Sequence, residues 1–343
     1  MRRIFAIAGA ILLIAGCGRL PSLESRHASQ AFTDTEDTWL GRAVAQRARN
    51  HAGRSGIFPL LEAHDAFAAR VHLARKAERS LDVQYYIWRN DTTGVLLLNE
   101  LCRAADRGVR VRLLLDDNNT PGLDATLAVL DAHPNVEVRL FNPFVQRDAR
   151  VIGYLTDFAR LNRRMHNKSF TADNQVTIIG GRNVGDEYFG ATDGTLFVDL
   201  DVMAIGPVVS DVSNDFDRYW RSGSSYPVDR LLPPADAGQV TGFAATAALI
   251  ERRPAATAYM SALHDSPFMN DLRAGRLSFE WAVTRMVSDD PAKALGQSQP
   301  LDLVSHEIDR LFGESAAELD LVSAYFVPTA AGVDALVPMA RRG

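Results

Sequence analysis

The sequence predicts an α/β fold: one complete lobe built as a layered sheet flanked by helices, followed by the start of a second lobe. Three observations predict it. From Gly56 onward, segments rich in β-branched and aromatic residues alternate with segments whose apolar residues recur at helical spacing. Glycine and polar clusters punctuate them. The order strand, turn, Gly, apolar helix, Arg-Gly at 81–108 also returns at 319–343.

The elements follow in order. Residues 65–79 (DAFAARVHLARKAER) predict a helix that Asp65 can cap, and 80–88 (SLDVQYYIW) a strand. A turn at 89–94 leads to a helix over 95–107, stopped by Gly108. Residues 109–115 (VRVRLLL) predict the next strand, Asp116 to Asn119 a polar loop, 122–132 a helix and 135–140 a strand. The segment 145–165 is rich in arginine and suits either a solvated face or a phosphate-rich surface. Prolines 227, 233 and 234 mark a boundary, beyond which 241–264 and 271–286 read as helical before a new α/β start near 301. The expected organisation is a signal at 1–17, a tether at 18–55, a first lobe at 56–235, a helical inter-lobe segment at 236–300 and the start of a second lobe at 301–343.

Composition narrows the function. With 47% hydrophobic and 23% charged residues, a chain of 343 can bury a sizeable core. A net charge of −5 argues against broad nucleic-acid binding, so no nucleic-acid partner is expected. Cys17 and Cys102 form no CxxC or Cys/His cluster, which excludes a structural zinc site; Cys102 reads as a small core residue. Asp116-Asp117 has no supporting ligand pattern for a metal. Only Lys76, Lys168 and Lys293 are lysines, so Lys168 stands out where arginine is otherwise preferred.

The N-terminus reads as an address. Arg2 and Arg3 precede a twelve-residue apolar run from Ile4 to Ala15, short for a bilayer span of ~20 residues. Ile14-Ala15-Gly16-Cys17 resembles a bacterial lipobox. The resemblance implies lipid attachment at Cys17, a membrane-anchored lipoprotein of the cell envelope facing the periplasm, and, because Gly18 follows, an outer-membrane destination. A plain secretory signal beside an incidental cysteine is the alternative.

The chemistry concentrates at 163–189 (RRMHNKSFTADNQVTIIGGRNVGDEYF). If 165–170 is a strand, His166 and Lys168 project from one face. Asp173 falls in the turn, 176–179 forms the return strand, and Gly180-Gly181 closes it. An imidazole can attack phosphorus and divide one displacement into two steps. The Lys168 ammonium would neutralise non-bridging oxygens, the glycines would admit the phosphate, and Asn183 could donate an amide hydrogen bond to it.

The pattern His166-x-Lys168-x4-Asp173, six residues, Gly180-Gly181 resembles the signature of the phospholipase D superfamily. Gly180-Gly181-Arg182-Asn183, Asp186-Glu187-Tyr188-Phe189, LDVQYYIW, AADRGVRVRLLLDDN, Asp199-Leu200-Asp201 and AYFVP are similar to its cardiolipin synthase branch, the C-type subgroup in particular. The resemblance implies a phospholipase D-like fold of two lobes with one motif each. It implies a nucleophilic His166, a phosphate-binding Lys168, a largely structural Asp173, and no metal or other cofactor. It further implies phosphatidylglycerol-like donors and a phospholipid alcohol as acceptor.

No second His-x-Lys-x4-Asp occurs in the chain. In the first copy 58 residues separate Gly108 from His166, so a second motif is expected about 60 residues past Gly343, or from another chain. Hydrolysis of a lipid or nucleic-acid phosphodiester is a rival activity, and a catalytically silent, membrane-tethered fragment a third reading.

Overall fold

A single mixed sheet of nine strands organises the computed structural model, which describes residues 19–147, 149–299, 303–314, 318–322 and 330–342. The strands are β1 (Ser55–Leu60), β2 (Ser80–Tyr85), β3 (Arg110–Asp116), β4 (Val136–Phe141), β5 (Ser169–Ala172), β6 (Val176–Gly180), β7 (Asp201–Ile205), β8 (Ser225–Pro227) and β9 (Glu280–Ala282). Their order across the sheet is β8-β4-β3-β2-β5-β6-β7-β1-β9. β2, β3 and β4 are parallel and joined through the helices Thr92–Asp106 and Asp124–Asp131; the remaining pairs are antiparallel. The central strands are buried on both faces, as a sheet with helices on each side requires.

The two faces differ in chemistry. On one, Leu81, Val83, Leu113, Val138, Phe170 and Ile178 pack against apolar residues of the helices Ala63–Lys76 and Thr92–Asp106. On the other, beneath the helix Val208–Arg221, polar and charged side chains alternate with them and are paired. Arg112 binds Asp82 through two hydrogen bonds of 2.6 and 2.8 Å and Asp217 at 2.7 Å, all three being buried. Arg139 donates to the carbonyls of Trp220 and His27, both at 2.6 Å. A buried cation left alone would cost several kcal/mol, so these partners are a condition of folding.

Three expectations need correction. Residues 19–54 are not a spacer. Arg26 donates to the carbonyls of Ser222 and Ser225, Ala31 N–H to Asp217, and Leu40 and Val44 of the helix Trp39–Ala48 enter the core. Interspersed arginines hide that apolar spacing of four. The inter-lobe segment is not simply helical: it divides into Ala237–Glu251, Pro254–His264 and Pro267–Arg273, with proline at the start of the second and third. Its residues Glu280–Ala282 then form the edge strand β9 on β1, so the first sheet runs past 235. Where the repeat predicts a helix, Ala330–Arg342 is one, whereas AYFVP lies outside the described residues, as do the signal and Cys17. Among the described residues no helix is long and apolar enough to cross a membrane.

Candidate active site

The site grows from the β5–β6 hairpin. Asp173 and Asn174 take φ values of 50° and 51°, a region Asp and Asn tolerate well, and Gln175 N–H closes the turn on Ala172 O at 3.0 Å. The ladder with β2 begins only at Ser169, opposite Gln84. The expected strand from 165 is therefore shorter, and His166 to Lys168 form an extended approach ahead of the sheet. Met165 N–H donates to Asp116 Oδ2 at 2.9 Å, Arg164 pairs with the same carboxylate at 3.3 Å, and Gln84 Nε2 donates to Met165 Sδ.

His166 and Lys168 come together. The Lys168 ammonium donates to His166 O at 2.7 Å and lies 3.3 Å from Nδ1. The His166 ring is exposed and tilts against Tyr86 with centroids 4.7 Å apart, while Lys168 is buried, 5.6 Å above the same Tyr86 ring. Both border a cavity of about 260 Å³ with Gln84, Gly180, Asp215 and Met286. Partial desolvation, then the cations of Lys168 and Lys293, lower the His166 pKa to about 4, so the imidazole is neutral at pH 7. Desolvation lowers Lys168 to about 8 against the opposing pull of Asp199 and Asp201, leaving it mostly charged.

Other expected site residues sit elsewhere or do other work. Asp173 does not reach the cavity. It is wholly buried and accepts from the backbone N–H groups of Glu78 (3.0 Å), Arg79 (2.8 Å) and Ser80 (3.0 Å). Asn183 is buried and outside the cavity lining, and its Oδ1 accepts from Ile87 N–H at 3.0 Å, which fixes the orientation of the amide. Gly180 borders the cavity, but the demand for glycine comes from behind. A Cβ at Gly180 would lie 2.5 Å from Asp201 Cα, and one at Gly181 only 1.9 Å from Asp199 Oδ1. The glycines admit the Asp199–Asp201 segment.

Within the Arg-rich stretch, four arginines are engaged with carboxylates: Arg147, Arg150, Arg160 and Arg164. Arg147 and Arg150 pair with Asp117, and Arg147 also with Asp124. Asp116 and Asp117 are thus the hub that ties the 144–165 segment to the end of β3. Among the described residues no His/Cys/Asp/Glu group could hold a metal ion. Sequence reading also missed Asp215 and the 286–289 segment, which approach the cavity from 48 and more residues away and carry no local signal.

Residues 71–220 match the family described as "Cardiolipin synthase, PLD-like domain". The chain is 52% identical over 304 residues to Cardiolipin synthase C of Escherichia coli, covering 89% of this chain and 64% of that protein. It is 30% identical over 179 residues to a cardiolipin synthase of Staphylococcus aureus, covering 49% of this chain and 33% of the other. Among solved structures, NucT from Helicobacter pylori covers 50% of this chain and 97% of its own, at 16% identity and a TM-score of 0.38. The chain thus spans just under two thirds of the Escherichia coli relative and a third of the Staphylococcus aureus one. The motif spacing and these sequence matches converge: residues 71–220 are a PLD-like domain of the cardiolipin synthase kind.

Proposed function

We propose that the chain carries the first catalytic site of a phosphatidyl transfer, with His166 as nucleophile. The observation that carries the reading is a neutral imidazole held beside a buried ammonium at the edge of a cavity. His166 Nε2 attacks phosphorus, the bond from phosphorus to the leaving glycerol oxygen breaks, and that oxygen takes a proton. The hydroxyl of a second phospholipid then attacks the phosphohistidine, gives up its proton, and frees the imidazole as the P–N bond breaks. Lys168 offsets charge on the non-bridging oxygens, and Asn183 Nδ2 donates to one of them.

A nucleophilic Nε2 requires the proton on Nδ1, which a facing ammonium at 3.3 Å opposes. An incoming phosphate resolves the conflict by drawing the Lys168 charge toward itself. Asp173 serves the hairpin rather than the reaction. The proton for the leaving alcohol comes from a second histidine, in a further lobe that begins at 301–343 or in another chain.

The name of the Escherichia coli relative supports a phosphatidylglycerol-like donor and a phospholipid acceptor. Attachment of lipid at Cys17 would place the protein on the bacterial envelope membrane, facing the periplasm. Water is the rival acceptor, favoured by the exposure of the His166 ring. Incubation with phosphatidylglycerol in mixed micelles distinguishes the outcomes. Cardiolipin with free glycerol is expected from a form of the protein that includes the second histidine; phosphatidic acid would mean hydrolysis, and no product from that form would sink the catalytic reading. Intact-mass measurement of membrane-extracted protein is expected to show an acylated Cys17, and an unmodified thiol there would end the anchor proposal.

A further inference from the structure

His166 and Lys168 lie ahead of the β-ladder, so sheet hydrogen bonds do not fix their separation. The residue between them is tied down instead. Asn167 Nδ2 donates to Asp215 Oδ2 at 3.1 Å, and Asp215, buried on the helix Val208–Arg221, accepts from Ser288 Oγ on its other oxygen. One turn along that helix, Arg218 and Tyr219 both donate to the carbonyl of Asp289 at 3.0 Å. The Asp289 carboxylate accepts from Val304 N–H at 2.8 Å and pairs with Lys293. These bonds set Met286, Val287 and Val304 as an apolar wall of the cavity that His166 and Lys168 border. That wall lies outside the matched 71–220 region.

We propose that Asp215 is a positioning residue: through Asn167 it sets His166 against Lys168, and through Ser288 it holds the apolar wall in place. A bond at the middle residue of an extended tripeptide constrains both neighbours, because their side chains leave the same backbone on alternate positions. Misplacing reacting groups by about 1 Å can cost ~100-fold in rate, even when the mutated residue is remote from the chemistry. The kinetic part rests on the phosphatidyl-transfer reading, while the geometric part does not.

The deciding variants are Asn167→Ala, which cuts the bond without changing charge, Asp215→Ala and Ser288→Ala. Each is made in the whole chain, with kcat and KM measured on phosphatidylglycerol and the His166 titration followed by NMR. Asn167→Ala and Asp215→Ala are expected to lower kcat about 100-fold. They also move the His166 pKa from about 4 toward its ordinary value of ~6.5, as the ring is no longer held in its desolvated place beside Lys168. Ser288→Ala is expected to raise KM while His166 titrates as in the parent. A folded Asn167→Ala protein with parental kcat and parental His166 titration overturns the proposal, and that variant decides alone if Asp215→Ala fails to fold. A parent that shows no turnover when the second histidine is supplied would refute the transfer reading, yet the titrations would still judge the positioning.

Discussion

The two ends of β5 make opposite uses of the same short strand. At the Asp173 end everything is saturated. The carboxylate accepts three backbone N–H groups, and Asn174 donates to Phe32 O at 2.8 Å and accepts from Ser213 Oγ at 2.7 Å. At the His166 end the backbone has left the ladder, the ring meets solvent, and Lys168 is the cation at its side. Five residues at ~3.3 Å each put the motif's lysine and aspartate about 16 Å apart. The contrast teaches that the motif joins a clamp to a reacting end. Its aspartate fixes the hairpin to the start of β2, and its histidine and lysine meet at the cavity at the far end.

Breaking the reacting end should cost most. His166→Ala is expected to reduce turnover about 10,000-fold or more while leaving the melting temperature near the parent's; retained activity would remove His166 from the mechanism. The pH–rate profile sharpens the same point. Below about pH 4 the imidazole gains a proton and loses its lone pair, and above about pH 8 Lys168 loses its charge. kcat/KM should therefore form a bell between those limits, and a profile that keeps rising past pH 9 would deny Lys168 a charged role. Breaking the clamp should cost stability instead. Asp173→Ala strands three N–H donors, that of buried Ser80 among them, and forces alanine to positive φ, for a loss of about 3 kcal/mol in denaturant unfolding. Asp173→Asn keeps one acceptor and tolerates the turn, so its loss should be smaller, about 1–2 kcal/mol. If the folded fraction of either variant lost all activity, the division between clamp and reacting end would fail.

Local signals made the central elements legible. The apolar run in VRVRLLL and the glycine at 108 located β3 to within one residue and the helix before it to within three, because burial of a central strand is written in consecutive residues. The His-Lys pair was legible for the same reason, being a matter of spacing. What stayed hidden depends on partners far along the chain. Arg112 looks like an outward-facing strand residue until Asp82 and Asp217 close on it. Asp116 and Asp117 read only as a polar loop, because nothing near them in sequence shows that Arg147, Arg150 and Arg164 will take their oxygens. Gly180 and Gly181 were rightly singled out for close approach, but the neighbour is the Asp199–Asp201 segment of the adjoining chain run.

The docking of residues 19–54 bears on how a lipid could meet this protein. Arg26 is held at Ser222 and Ser225, nine positions beyond Cys17. Nine residues stretch to about 30 Å at most, roughly one hydrocarbon core's depth. With an acyl leash at Cys17, the catalytic body would therefore hover within a bilayer's thickness of the surface. Such a short leash favours lateral capture of neighbouring lipids over reaching across to another membrane.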